Sequence, residues 1–519
     1  MNQSSRLALA AALLSLAAAA PAFAENCARL AALALPYTTI TSAKLVPAGA
    51  FTLPPSPFGP PPGVMRATFK AMPAFCRVRA TVKPTTDSDI KVEVWLPETG
   101  WNGNLDGIGN GVWAGSISYF EMVAPLAHGY AVVATDTGHV GNGLDGGFAV
   151  GHPQKLIDFG YRAVHEMTVK AKALIAAYYD RGPRFSLWTS CSTGGRQGLM
   201  EAYRYPRDYN GISAMAPANP MTDLMVQSIW TGYAALKSPA SFVPRAKLAA
   251  LHKAFIKACD LSDGLKDGLV ADPENCAFDP KVAECRGHDG PDCLTAAQVA
   301  TMREVYGGVR DPRSGRRVFP GFEPGSELQV GLLMRPPQPF PVATSYMRDL
   351  VFKNPKWDFR TFDYHRDTVL AEDAGRKVLD VPSNGLGPFF ADGGKLLLSH
   401  GWSDGLIPPR NTVNFYESLL KTVDAQTAAR SVRLFMIPSM QHCSGGDGPY
   451  IFEPLSVIDR WVETGKLPQR IVVSRPRGAP PMTRPLCPFP EEAEYSGHGS
   501  TRVASNFACV RVKPARTAS

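Results

Sequence analysis

A serine hydroxyl is a nucleophile at neutral pH only when a base takes its proton, and that base needs a carboxylate to orient it. Residues 188–199 read WTSCSTGGRQGL, a serine in a run of small residues directly after the apolar stretch 185–190. With a helix starting near Gly194, the pattern is strand, sharp turn, helix, the setting that holds a nucleophilic Oγ clear of a sheet edge. Ser192 is therefore the expected nucleophile. Gly194 supplies the glycine two positions after it, but Ser190 stands two positions before it, so G-x-S-x-G is half matched.

In that setting the acid and then the histidine follow the serine in chain order, each on a loop after a strand. Asp404 lies in SHGWSDGLIPP, immediately after the apolar run 395–400, and His442 lies in IPSMQHCSGG, immediately after 431–437. His400 is an alternative base and Asp136, in DTGH, an alternative acid; both come too early to keep the order. Cys191 precedes the serine and Cys443 follows the histidine. If Ser192 and His442 meet, their neighbours come within disulfide reach, and a bridge would staple the nucleophile turn to the histidine loop. Two unrelated buried thiols are the competing reading, a weak one in an oxidising compartment.

Such a compartment is what the N-terminus indicates. Arg6 in a short polar stretch, the apolar run LALAAALLSLAAAA and an A-x-A site at Ala22–Ala24 read as a signal peptide over residues 1–24. The apolar run is too short to span a bilayer, and no later stretch approaches the roughly 20 residues needed. The expectation is a secreted or periplasmic protein without a membrane span. Its ten cysteines are an even set with no C-x-x-C pair, which favours disulfides over structural zinc. The formal net charge of +8 is spread along the chain without a polybasic block or a nucleic-acid module, so a nucleic-acid partner is not expected.

The elements that must position these residues are legible in outline. Ile90, Val92, Val94 and Leu96 alternate with polar residues as in a half-buried strand. GYAVVATD (129–136) is a β-branched run of the buried parallel kind, and GISAMAP (211–217), KLLLSHG (395–401) and SVRLFMIP (431–438) add short apolar strands. Residues 153–178 have helical spacing, and the proline-rich residues 45–63 read as an extended surface segment. Strands alternating with helices predict an α/β fold with a mostly parallel sheet. Residues 219–382 differ in texture, being rich in proline and glycine, with a helix expected over 295–306. There Thr295 and Gln298 form a capping box and Gly307 a stop. The expected organisation is a catalytic domain of residues 25–218 and 383–519, with 219–382 inserted as a lid.

Read together, Cys191-Ser192, Asp404 and His442-Cys443 resemble the tannase and feruloyl esterase family, which includes the mono(hydroxyethyl) terephthalate hydrolase. The resemblance extends over WNGNLDGIGNGVWAGSI (101–117), TDTGH (135–139), CSTGGRQGL (191–199), SHGWSDGLIPP (399–409) and DRWVETGKLPQ (459–469). It implies an α/β-hydrolase fold with a large lid, and the pairings Cys27–Cys76, Cys191–Cys443, Cys259–Cys276, Cys285–Cys293 and Cys487–Cys509. It also implies a serine carboxylic ester hydrolase acting on esters of aromatic acids, feruloyl esters first, with galloyl esters (a tannase) or a terephthalate monoester as alternatives. A secreted binding protein without turnover, or a peptidase, is the reading from another class. The tetrahedral oxyanion needs preorganised N–H donors. Those of Thr193, the residue after the nucleophile, and of Gly111, with Val112 its close rival, are the expected pair. In the lid, Asp260, Asp263 and Asp267 offer hard oxygen ligands between glycine turns, though not at EF-hand spacing. The resemblance makes them a structural Ca²⁺ site completed by the carbonyls of Leu265 and Leu269. Trp230, Phe242, Phe340, Tyr346 and Phe352 are available to line a pocket, and the sequence assigns none of them.

Overall fold

The computed structural model describes residues 25–54 and 66–511. The expected signal peptide and residues 55–63 of the proline-rich segment lie outside the described residues. Two compact units emerge from the packing. The first takes in residues up to Asn110, Ala114–Asn142 and His152–Leu187, and the second holds Gly111–Trp113, Gly143–Gly151 and the chain from Trp188 onward.

In the first unit, strands β1 (Thr38–Val46), β2 (Phe75–Val82), β3 (Ile90–Pro97), β4 (Asn104–Ile108) and β5 (Ala131–Thr135) lie in the order β1-β2-β3-β5-β4. The first three pairings are antiparallel, with a register shift between Ile40 and Ser42, and β4 joins β5 in parallel. Every residue of β5 is buried, as its unbroken apolar run requires. The expected helix over 153–178 is present as three consecutive pieces, Pro153–Ile157, a π-helical turn Asp158–Arg162, and Ala163–Tyr179. Val164, Met167, Ala171, Leu174 and Tyr178 form its buried stripe. The π turn was not legible: Asp158 is buried there and held by Arg162, at 2.5 Å. Cys27–Cys76 ties the N-terminal helix to β2.

The second unit takes up the chain within β6 (Phe185–Cys191), from Trp188, which leads into the helix Thr193–Arg204, followed by β7 (Gly211–Met215), β8 (Lys395–Gly401) and β9 (Val432–Ile437). β8 pairs in parallel with β7 on one side and β9 on the other, with Leu397 opposite Ser213 and Arg433. β7, β8 and β9 are buried nearly throughout, and the carboxyl ends of β6, β8 and β9 feed the loops that carry Ser192, Asp404 and His442. The α/β fold with parallel strands expected from the sequence is what the chain adopts.

Residues 219–382 fall within this second unit and build a hydrophobic cluster of their own, including Leu248, Leu251, Val299, Met302, Val305, Phe322 and Val330. The helix Ala296–Gly307 carries both halves of the capping box between Thr295 and Gln298. Its stop lies one residue later than expected: Gly307 is the last helical residue, and Gly308, at φ +73°, takes the left-handed turn. Cys259–Cys276 and Cys285–Cys293 staple the loops of this segment, and Cys487–Cys509 closes the C-terminal hairpins. No helix among the described residues is long and apolar enough to cross a membrane.

Candidate active site

Ser192 sits at φ +63°, ψ −126°, a left-handed conformation rare for a residue with a side chain. The turn is held from both sides: the Ser192 N–H donates to Met215 O at 3.0 Å, and the Ser192 carbonyl accepts from Ala218 N and Arg196 N, each at 3.1 Å. The helix behind it needs glycine to come this close, because a Cβ on Gly195 would lie 2.7 Å from Met215 O. The small residues after Ser192 are thus a packing requirement of the turn as much as a motif.

Asp404 is fully buried and stays ionised. Burial alone would push its carboxyl up, but His442 and His400 hold it well below the usual carboxylate range. Each oxygen accepts two N–H groups. Oδ1 takes Leu406 N at 2.8 Å and Ile407 N at 2.9 Å; Oδ2 takes His442 Nδ1 at 2.7 Å and His400 Nε2 at 3.0 Å. Because the carboxylate only accepts, His442 carries its proton on Nδ1 toward Asp404, which leaves Nε2 as the basic nitrogen.

The disulfide Cys191–Cys443 brings the serine turn and the histidine loop together, with Cα atoms 5.9 Å apart across a sequence separation of 252. A ring nitrogen of His442 lies within 4.8 Å of both sulfurs. Both sulfurs are spent on the bridge, so this cluster is a covalent staple and not a metal site. Among the described residues, Ser192 Oγ and His442 form no hydrogen bond; contacts of this kind tighten when substrate is bound. Ser192 and His442 are half-buried, open enough for a substrate to reach.

Thr193 lies against the loop that carries Gly111 and Val112. Thr193 opens the helix Thr193–Arg204, where unpaired N–H groups and the helix dipole favour negative charge. Its Oγ1 donates to Val112 O at 2.7 Å, which fixes the Gly111–Val112 loop against the helix start. Val112 is itself left-handed, at φ +46°. Trp113 anchors the same loop by donating to Val342 O at 3.1 Å.

His400 has a different role from the one considered for it. It is fully buried, and Nε2 serves both Asp404 and Ile407 O (3.1 Å) while Nδ1 accepts from the Thr412 hydroxyl at 2.8 Å. It is a second imidazole on the catalytic carboxylate, and the i, i+4 spacing of His and Asp in SHGWSD was the available signal. Asp136 is not the acid: its Oδ1 accepts from Lys91 N and Gly138 N in the other unit. Gln329 gave no signal at all, yet its Oε1 accepts from His442 N at 2.9 Å and Gly405 N at 3.0 Å.

The loop 260–269 has the donor chemistry for a hard divalent cation. Asp260, Asp263 and Asp267 share this loop, where Gly264 and Gly268 at positive φ make the turns and Asp260 Oδ1 accepts from Asp267 N at 3.1 Å and Gly268 N at 2.7 Å. Burial, and then the neighbouring carboxylates of Asp267 and Asp260, push Asp263 up to about 6. Arg484 pairs with Asp267, so the three acidic residues of the loop have one guanidinium partner between them among the ion pairs of the described residues. Of the aromatic side chains available to a pocket, Tyr346 is fully buried and donates to Ala371 O at 2.5 Å, and Phe340 packs on the core of residues 219–382.

An α/β sheet with a strained serine after β6, an aspartate after β8 and a histidine after β9 is the arrangement of a serine hydrolase. The sequence profile of the tannase and feruloyl esterase family matches residues 76–510, and the chain belongs to that family. An esterase of Xanthomonas campestris is 37% identical over 97% of this chain and 94% of its own. The crystal structure of feruloyl esterase B from Aspergillus oryzae superposes with a TM-score of 0.85 at 29% identity, covering 94% of this chain and 100% of that one. Tannin acyl hydrolase from Aspergillus niger shares the fold, with a TM-score of 0.75 at 21% identity over 94% and 95% of the two chains.

Proposed function

We propose that this chain hydrolyses esters of hydroxycinnamic or related phenolic acids, of the feruloyl type before the galloyl type, through Ser192, His442 and Asp404. The observation that carries the reading is the buried Asp404–His442 pair, at 2.7 Å, stapled to the serine turn by Cys191–Cys443. The resemblance to feruloyl esterase B, over nearly the full length of both chains, supports the acyl preference.

In the reaction, His442 Nε2 takes the Ser192 proton as Oγ attacks the ester carbonyl, and Asp404 stabilises the imidazolium that forms. The oxyanion is received by the N–H groups of Thr193 and Gly111, and the alcohol leaves with the proton from His442. Water then attacks the acyl-enzyme by the same route and frees the acid. Residues 219–382 act as a lid whose inner face supplies the pocket for the aromatic ring. Asp260, Asp263 and Asp267, with the carbonyls of Leu265 and Leu269, would hold a calcium ion, which would stiffen this segment and take no part in the chemistry. The protein works outside the cytoplasm, a reading supported by five disulfides and by no free cysteine among the described residues.

The test is a panel of methyl ferulate, methyl gallate and mono(hydroxyethyl) terephthalate, with Ser192→Ala as control and an anilide of ferulic acid to detect amide cleavage. A kcat/KM highest on the ferulate ester, and lost in Ser192→Ala, is expected. Equal and poor rates on all three esters would refute the acyl preference, and full activity in Ser192→Ala would refute the triad.

A further inference from the structure

We infer that Gln329, a residue of the segment 219–382, is a positioning residue for the catalytic pair: one side-chain oxygen fixes the histidine loop and the aspartate loop relative to each other. The inference rests on the triad reading above. Gln329 Oε1 accepts from the backbone N–H of His442, at 2.9 Å, and from that of Gly405, the residue after Asp404, at 3.0 Å. Both partners are donors, so the amide must present its oxygen here and not its nitrogen, which settles the orientation by chemistry.

The side chain is firmly seated. Gln329 belongs to a single short turn, Glu327–Val330, fixed at both ends. Glu327 is fully buried and accepts from Tyr306 OH at 2.5 Å, from Gly325 N at 2.9 and 3.0 Å, and from His252 Nδ1 at 2.9 Å. His252 Nε2 in turn donates to Asp447, at 2.8 Å, a few residues beyond His442 on the same loop. Val330 at the other end lies in the hydrophobic cluster. The backbone of Gly405 presses against this turn so closely that a Cβ there would lie 2.4 Å from Val330 N. The turn that carries Gln329 is thus held by Tyr306, Gly325, His252 and the hydrophobic cluster, and its side chain reaches into both catalytic loops.

The consequence is specific. The Asp404–His442 hydrogen bond sets the direction of His442 Nε2, and the two backbone N–H groups set where these residues start. Removing the shared acceptor leaves both loops one bond short in the same place. The aspartate keeps its four donors, so the expected loss is in alignment, not in the ionisation of Asp404. Misalignment of a reacting group by about 1 Å costs on the order of 100-fold in rate.

Two variants separate positioning from space filling. Gln329→Met keeps the length and bulk but has no comparable acceptor, while Gln329→Glu keeps an oxygen for both N–H groups. Expected for Gln329→Met is a fall in kcat of about 10- to 100-fold with KM within about 2-fold of the parent, and for Gln329→Glu a kcat within about 3-fold of the parent. Melting temperatures are measured alongside. A Gln329→Met enzyme with parental kcat, or a Gln329→Glu enzyme as impaired as Gln329→Met, overturns the inference. Should Gln329→Met not fold, the Gln329→Glu result decides alone, retention of kcat supporting the inference and its loss overturning it. Ser192→Ala in the same assay keeps the two readings apart: if it stays active, the triad has failed, and if it is dead while Gln329→Met is unimpaired, only the positioning role has failed.

Discussion

Replacing Cys191 and Cys443 together by alanine removes the one covalent link between the nucleophile turn and the histidine loop. The bridge closes a separation of 252 residues. In the chain-entropy account such a loop is worth about 5.5 kcal/mol, against about 2.5 kcal/mol for the 8-residue separation of Cys285–Cys293. A chain of this length changes its melting temperature by about 1 °C per kcal/mol, so the first double variant should melt about 5 °C lower and the second 2–3 °C lower. The larger difference lies in catalysis. At 25 °C both variants are folded, but only the first frees the histidine loop from the serine turn, and its kcat should fall by about 10- to 100-fold while the second keeps parental kcat. Differential scanning calorimetry and initial rates on methyl ferulate measure the two effects on the same samples. Equal kcat in the two double variants would refute the claim that the bridge aligns the site, and an unchanged melting temperature in the first would refute its structural contribution.

Other outcomes follow from neighbouring contacts. His400→Phe strips one donor from the buried Asp404 carboxylate and leaves Thr412 without its acceptor. It should destabilise the protein by about 2–4 kcal/mol in urea unfolding and lower kcat; parental stability would show the buried imidazole to be dispensable. Burial alone would push the His252 imidazolium down, but the carboxylates of Asp447 and Glu327 outweigh it and raise the group to about 9. A raised folded-state pKa adds stability that is full below the unfolded value near 6.5 and is lost as pH rises through about 9, worth up to about 3 kcal/mol. Urea unfolding at pH 6 and pH 9.5 should show that loss, and His252→Gln should abolish it; an equal loss in the variant would point to other groups. Chelation with EDTA should lower the melting temperature by several degrees, Ca²⁺ should restore it, and Asp263→Asn should remove the response with kcat unchanged. A melting temperature indifferent to EDTA and Ca²⁺ would exclude the calcium site.

Much of the catalytic layout was written in local pattern. The apolar runs before Asp404 and His442 became β8 and β9, because a strand buried on both faces has to be apolar along its length, and the shorter buried stretch Ser186–Trp188 marked β6 before Ser192. The cysteines beside Ser192 and His442 were informative because a covalent bond is a distance restraint that a sequence can carry. What escaped were contacts whose partners share no spacing. Gln329 is one polar residue on one helical turn, and nothing in its neighbourhood says which backbone N–H groups it will meet across the fold. His400 was set aside as a base because it precedes the acid; that its ring instead binds the acid depends on Thr412 and Ile407, which only the folded loop brings to it. The strands β1, β2 and β4 were also missed: β1 (TTITSAKLV) and β2 (FCRVRATV) are interrupted by polar and charged residues, and β4 (NLDGI), though buried throughout, has only two aliphatic side chains.

Three residues around the reacting groups, Val112, Ser192 and Cys443, hold left-handed backbone at φ +46°, +63° and +61° although none is glycine. Each such conformation costs on the order of 1 kcal/mol or more and persists only while the surrounding packing enforces it. Heating relaxes the enforcement locally before it disrupts the sheet, because open loops yield at lower free energy than buried strands. The temperature at which turnover vanishes should therefore lie below the temperature at which the protein melts.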